Sequence, residues 1–235
     1  MSLLGFDTST AATAAALRLD DGTTREARDD PPPGARPGHA TRLLGLTEGL
    51  LGDAGLGWEQ LDRIAVGVGP GTFTGLRVGV ATARGLAQSL GAELVAVGSL
   101  AALALPAVAA GPVLALIDAR RGELFAAAYE RAGDDGLLEL TAPQALAPAA
   151  VASLAGGGGS WLAVGDGALR YRVELEAAGA VVPAEDDPRH RVTAAAICAL
   201  GLRARTGDAA RIVPDYRRRP DAELALERAG AARGA

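Results

Sequence analysis

The sequence predicts an α/β protein of two related lobes, each a mixed sheet with flanking helices, and three observations carry that prediction. An apolar strand that ends at an aspartate, followed by a turn and a returning strand, occurs twice, around Asp7 and again around Asp118. A short buried run, Ile64-Ala65-Val66, passes through Gly67, Gly69, Pro70 and Gly71 straight into a helical stretch that lasts to Leu90. The chain has 235 residues, 49% hydrophobic and 22% charged, enough for a real core in one or two domains.

Taken in order, residues 2–6 are an apolar run closed by the polar turn Asp7-Thr8-Ser9-Thr10. Residues 11–19 read as the returning strand, Asp20-Asp21-Gly22 as a hairpin turn and residues 23–28 as a third, more polar strand. Four prolines and no hydrophobic anchor mark residues 29–38 as a loop. Residues 39–53 form an amphipathic helix with Ala40, Leu43, Leu44, Thr47, Leu50 and Leu51 on one face, ended by Gly55-Leu56-Gly57. The glycine turn comes next, because only Gly accepts positive φ freely and Pro fixes its own φ. Thr72 or Thr74 can cap the following helix.

Inside that helix Gly75, Gly79, Ala83 and Ala87 recur every four residues, beside an apolar ridge of Val78, Thr82, Leu86 and Leu90. An interior glycine costs about 1 kcal/mol against alanine, so two on one face imply that another backbone approaches closely there. That backbone belongs either to the chain's own sheet or to a second chain, and spacing alone favours the first.

Residues 93–97 make another strand, and Ser99 can cap an alanine-rich helix through Ala109. The opening pattern then returns: residues 113–117 end at Asp118, a turn runs through Gly122, and residues 124–129 come back. We therefore place the lobes at 1–108 and 109–235. The second lobe continues with a connection through Pro143 and Pro148, a flexible Gly156–Gly159 loop, a strand at 161–164, Gly165-Asp166-Gly167, and helices at 168–178 and 193–205. The last helix can pack back on the first lobe, and the tail frays after about residue 220.

Composition excludes several chemistries. All 23 basic residues are arginine, which removes a Schiff-base or P-loop lysine. A net charge of −5 argues against an autonomous nucleic-acid surface. The lone Cys198, among alanines, reads as a buried helical thiol and fits a reducing, cytoplasmic address, as does the lack of a membrane-length apolar run or a basic leader. The glycine turn matches a dinucleotide fingerprint only loosely, since Pro70 interrupts it, and no GK[ST] or G-x-S-x-G is present. His39 and His190 lack metal-ligand spacing and read as surface residues. Arg217-Arg218-Arg219 reads as a solvated charge run able to touch phosphate. Asp7 and Asp118 can aim carboxylates at a nucleotide phosphate and its metal from two sides of a cleft, although Asp also simply favours turns.

Asp7-Thr8-Ser9, Gly67-x-Gly69-Pro70-Gly71-Thr72-Phe73-Thr74-Gly75-x-Arg77-x-Gly79 and Gly85-Leu86-Ala87 together resemble the TsaB (YeaZ) family of tRNA threonylcarbamoyladenosine biosynthesis. Ile117-Asp118-Ala119-Arg120-x-Gly122-Glu123-Leu124-Phe125, Gly165-Asp166-Gly167 and Pro214-x-Tyr216-x-Arg218 extend the likeness to about residue 220. The resemblance implies an actin/Hsp70/sugar-kinase type of fold. It implies a non-catalytic subunit beside the catalytic sibling TsaD and the ATPase TsaE, acting on the adenosine next to the tRNA anticodon. TsaD carries an H-x-x-x-H metal pair after the shared glycine turn; here residues 95–103 hold no histidine.

The resemblance further implies a partner interface made by the two first-lobe helices, through His39, Leu43, Leu50, Thr74, Gly75, Val78, Gly79, Thr82, Ala83 and Leu86, with a homodimer through the same face when TsaD is missing. No cofactor is expected to bind tightly; Asp7, Thr8, Ser9 and Asp118 stand as vestigial phosphate loops, with weak ATP or ADP and Mg binding at the level of the complex. The rival expectation is an independent ATPase or small-molecule kinase using Asp7 and Asp118. A metallopeptidase lacks ligands.

Overall fold

The computed structural model describes residues 1–235 except 33, 134–135, 152–153, 155–160, 208 and 219–235. The first sheet holds β1 (Leu3–Asp7), β2 (Thr13–Arg18), β3 (Thr24–Asp29), β4 (Arg63–Gly69) and β5 (Glu93–Gly98), in the order β3-β2-β1-β4-β5. The second holds β6 (Val113–Arg120), β7 (Glu123–Ala132), β8 (Gly136–Leu146) and β9 (Leu162–Val164), in the order β8-β7-β6-β9. In both, the first strand pairs antiparallel with the second and parallel with the strand that follows the first helical crossover. This repetition is the actin/Hsp70/sugar-kinase arrangement. The central strands β1 and β4 are buried on both faces, which is why they read as continuous apolar runs; β3, at the edge, alternates charge and is exposed.

Helices α1 (His39–Ala54) and α2 (Phe73–Leu90) cover one face of the first sheet. Leu43, Leu50 and Leu51 of α1 and Val80, Ala83 and Ala87 of α2 pack with Leu4, Phe6, Leu17, Ile64 and Val66. The α1 C-terminus closes in a Schellman motif: Gly55 lies at φ 68°, and the Leu56 amide donates to the Leu51 carbonyl at 3.0 Å. On the opposite face, α3 (Ser99–Ala104) and α7 (Ala194–Arg203) fill the space between the sheets. Leu3, Ala65 and Val95 from one sheet, and Val113, Ala115, Ile117 and Phe125 from the other, meet Leu100, Leu103, Ile197 and Cys198 in a single core. Three short helices, α4 (Pro148–Val151), α5 (Asp166–Arg170) and α6 (Arg172–Ala177), cover the outer face of the second sheet. The last helix, α7, packs on β1, β2 and β4 of the first sheet.

Several elements differ from expectation. The connection through Pro143 is an edge strand, β8, in which Pro143 falls where the ladder with β7 shifts register between Ala126 and Ala128; an edge position tolerates the missing amide. The helix expected at 99–109 ends at Ala104, ahead of Pro106, and resumes only as a 3₁₀ turn at Val108–Ala110. The helix expected at 168–178 is two short helices, α5 and α6, that meet at Tyr171. The Gly156–Gly159 loop and the tail beyond residue 218 lie outside the described residues.

Candidate functional site

The two turns singled out by the sequence sit at the C-terminal ends of β1 and β4, and they interlock. The Thr72 amide donates to the Ser9 carbonyl at 2.7 Å, and the Thr8 hydroxyl donates to the Gly75 carbonyl at 2.7 Å. A β-carbon on Gly75 would overlap the Thr8 carbonyl oxygen and come within 2.6 Å of Thr72 Oγ1; one on Gly71 would lie 2.6 Å from Ser9 Cβ. The backbone that presses on the glycine stripe is therefore the chain's own. Gly69, at φ 105° and joined to Pro70 by a cis peptide, turns the chain between strand and helix.

Asp7 lies at the centre of this turn, only 2% exposed. Its Oδ1 accepts the Ser9 amide at 2.8 Å and the Ser9 hydroxyl at 2.6 Å, and its Oδ2 accepts the Ser99 hydroxyl at 2.6 Å. Ser99 Oγ in turn accepts the Gly69 amide at 3.1 Å. Ser99 thus ties the first residue of α3 to both turns instead of capping that helix, whose cap position is Gly98. Thr72 is the cap position of α2, yet its hydroxyl makes no capping bond. Thr8 and Ser9 are fully buried.

In the second lobe Asp118 is gripped from three sides. Its Oδ1 accepts the Arg120 amide at 2.9 Å, and its Oδ2 faces Arg170 Nη1 at 2.9 Å and Arg120 Nη1 at 3.5 Å. Its own amide donates to Asp166 Oδ1 at 2.9 Å. Gly165 and Gly167 let α5 rest on the β6 backbone, so Gly165-Asp166-Gly167 does for the second lobe what the glycine turn does for the first. Asp7, Thr8 and Ser9 are buried, and each carboxylate oxygen of Asp7 and Asp118 accepts a hydrogen bond or ion pair from this chain. Among the described residues no group of three or more His, Cys, Asp and Glu side chains is placed to hold a metal ion.

Both histidines are buried, a correction to their reading as surface residues. His39 stands at the start of α1 with Nδ1 2.8 Å from Thr13 Oγ1, while Nε2 lies near Gly75 without a partner. Burial holds its imidazole below the usual histidine range. His190 Nδ1 accepts the Gly165 amide at 3.1 Å, so its proton is on Nε2, which faces the Pro183 carbonyl at 3.2 Å. Cys198 is fully buried against β1, where only Gly5 fits beneath its sulfur, and burial pushes the thiol up to about 12.

The ten interface residues divide. His39, Leu43, Leu50, Gly75, Gly79 and Ala83 are buried within this chain, whereas Thr74 is exposed and Val78, Thr82 and Leu86 are half-buried on α2. The outward surface of the helix pair carries different small residues: Gly45, Gly49 and Gly52 on α1 and Gly85 on α2, each with open space where a β-carbon would point. Leu44 (44% exposed) and Phe73 (37%) flank them. Sequence reasoning also missed the tail's role. Tyr216 packs on Phe73 with ring centroids 5.2 Å apart and accepts Arg77 Nε at 3.0 Å, and the Arg77 guanidinium lies 3.6 Å over the Phe73 ring. The signal available was the ordered spacing Pro214-x-Tyr216-x-Arg218 in a stretch read as irregular.

No helix among the described residues is long and apolar enough to cross a membrane. A family model described as TsaD, tRNA N6-adenosine threonylcarbamoyltransferase, matches residues 31–187. The tRNA threonylcarbamoyladenosine biosynthesis protein TsaB of Escherichia coli is 38% identical over 136 residues, 56% of this chain and 56% of that protein. The chain thus spans about half the length of the curated relatives it matches. YeaZ from Pseudomonas aeruginosa superposes with a TM-score of 0.76 at 29% identity, over 92% of this chain and 99% of that one. A second structure, titled as an uncharacterized protein with similarity to peptidase YeaZ from Pseudomonas aeruginosa, gives 0.77 at 30% identity over the same shares. With residues 31–187 matched by the family model and 92% of its length superposed on the YeaZ structures, the chain belongs to the TsaB (YeaZ) family of tRNA threonylcarbamoyladenosine biosynthesis.

Proposed function

We propose that this chain is a non-catalytic, cytoplasmic subunit that holds a TsaD-type catalytic partner in its working conformation during threonylcarbamoyl transfer to tRNA, together with a TsaE-type ATPase. The observation that carries this reading is the closure of both aspartate turns onto the chain itself. A group that reacts with substrate must present a lone pair or a proton to it, and the carboxylate oxygens of Asp7 and Asp118 already accept hydrogen bonds or ion pairs from this chain. His39 is buried with Nδ1 against the Thr13 hydroxyl, both ring nitrogens of His190 are engaged, and the Cys198 thiol is buried and protonated, so none of these groups is presented outward. What the helix pair offers outward is a surface where a second pair of helices can approach closely, because Gly45, Gly49 and Gly85 leave room for them. A homodimer through the same face forms when the partner is missing.

Binding of this chain to a purified TsaD partner tests the reading. Gly49→Trp and Leu44→Asp should each weaken the heterodimer by about thirtyfold or more, as interface anchors do, with the circular dichroism of the isolated chain unchanged. Unchanged affinity for both folded variants would refute the interface. The rival, an independent ATPase or kinase, requires the isolated chain to bind and turn over Mg-ATP; calorimetry showing micromolar binding with turnover would favour it over the subunit reading. Weak nucleotide binding, where it occurs, belongs to the assembled complex.

A further inference from the structure

We propose that residues 214–218 form a latch that joins the two lobes across the gap between the glycine turn and the β6–β7 turn. After α7 the chain runs back past the first lobe, where Ile212 is buried in the core beneath α1 and α2. It then adds two contacts there. The Asp215 amide donates to the Val68 carbonyl at 2.7 Å, in the irregular end of β4, and Tyr216 joins Phe73 and Arg77 at the start of α2. Two residues further on, the chain has reached the other lobe: Arg218 Nη1 donates to the Ala119 carbonyl of β6 at 2.8 Å, and its Nε lies 3.5 Å from Glu123 Oε2 of β7. Three of the five residues therefore make the crossing, Asp215 and Tyr216 on the glycine turn and the start of α2, and Arg218 on the strands that flank the β6–β7 turn.

The geometry at the far end is itself strained. Arg120 and Arg121 both lie at positive φ, 65° and 54°, next to the carbonyl that Arg218 holds. Non-glycine residues persist in that region only where their surroundings fix them, and the Arg218 guanidinium is one such fixture. Arg217 turns back to pair with Asp215 at 2.7 Å, which stiffens the crossing.

Hydrogen exchange on the full chain tests this, because a latch and a locally docked tail respond differently. Arg218→Ala removes the contact on the second lobe and should speed exchange in the first lobe, at the amides of 67–72, by about fivefold or more, the effect of losing roughly one net hydrogen bond. Asp215→Pro removes the amide bonded to Val68 and should speed exchange at 119–123 in the second lobe. Arg84→Ala, on the exposed side of α2, should change neither. If each variant alters only the lobe whose contact it loses, or alters neither, the segment is not a latch. Loss of protection throughout both sheets would also overturn the proposal, by making the segment part of the common core.

Discussion

Two helical glycines in the first lobe should respond to the same substitution with opposite signs. At Gly75, alanine would place a methyl group against the Thr8 carbonyl, 2.6 Å from Thr72 Oγ1 and 3.2 Å from His39 Nε2. These neighbours are backbone or buried polar atoms, so the turn must move to admit it. Overpacking of this kind costs about 1–3 kcal/mol, and a shift of the turn also weakens the Thr8–Gly75 hydrogen bond, worth about 1 kcal/mol. Against this stands about 1 kcal/mol of helix propensity gained. The balance is a loss of about 2 kcal/mol, or a fall in Tm of about 4–8 °C for a chain of this size. At Gly49 nothing lies within 4 Å of the added methyl, so only the propensity gain remains and Tm should rise by about 2–4 °C. Melts followed by circular dichroism, at a concentration that keeps the isolated chain monomeric and Gly49 uncovered, measure both. A Gly75→Ala protein as stable as the parent would show that the close approach at α2 is not with the chain's own β1–β2 turn, and a destabilised Gly49→Ala would show that the outward side of α1 is not open.

Ser99→Ala strips a hydroxyl that serves both Asp7 Oδ2 and the Gly69 amide; leaving two buried groups short of a partner should cost about 2–3 kcal/mol in urea unfolding, and a loss under 0.5 kcal/mol would contradict the network. His39 binds its proton less readily folded than unfolded, so the folded state carries fewer protons and stability rises with pH; the contribution is whole above about pH 6.5 and is lost as pH falls through the depressed folded value. His39→Gln should flatten the fall in Tm between pH 7.5 and 5.5, and an equally steep fall in the variant would assign the effect elsewhere. Cys198, with its thiol pushed up to about 12 and no exposure, should resist aromatic disulfide reagents at pH 8 in the native protein and react at once in guanidinium; prompt native reaction would mean the α7–β1 packing opens readily.

The duplicated lobes were legible because each first strand announces itself by an apolar run ending in Asp, whereas the order of strands within each sheet was not read from the sequence. The edge strand β8 was not legible, because Pro143 and the half-exposed, mixed residues around it look like a connection; only pairing with β7 makes them a strand. The same limit applied to the histidines. Neither His39 nor His190 has neighbours in sequence that mark it as buried, since the groups that enclose it come from Thr13 and Gly75 in one case and from Gly165 and Pro183 in the other.

The glycines of the helix pair show most clearly what periodicity leaves open. A four-residue spacing reports that one side of a helix must be flat, and Gly75, Gly79, Ala83 and Ala87 obey it; it does not report which side of the helix faces the sheet. The direction is fixed by residues distant in sequence, Thr8 above all, whose carbonyl and hydroxyl fill the space beside Gly75 and Gly79. Once that face is closed, the glycines that matter to a partner must be ones the fold does not use. Gly45, Gly49, Gly52 and Gly85 carry the same propensity cost without any internal contact that requires it. A cost borne at four outward positions of one helix pair, with Leu44 exposed among them, is the physical ground for proposing the partner surface there and not against the stripe.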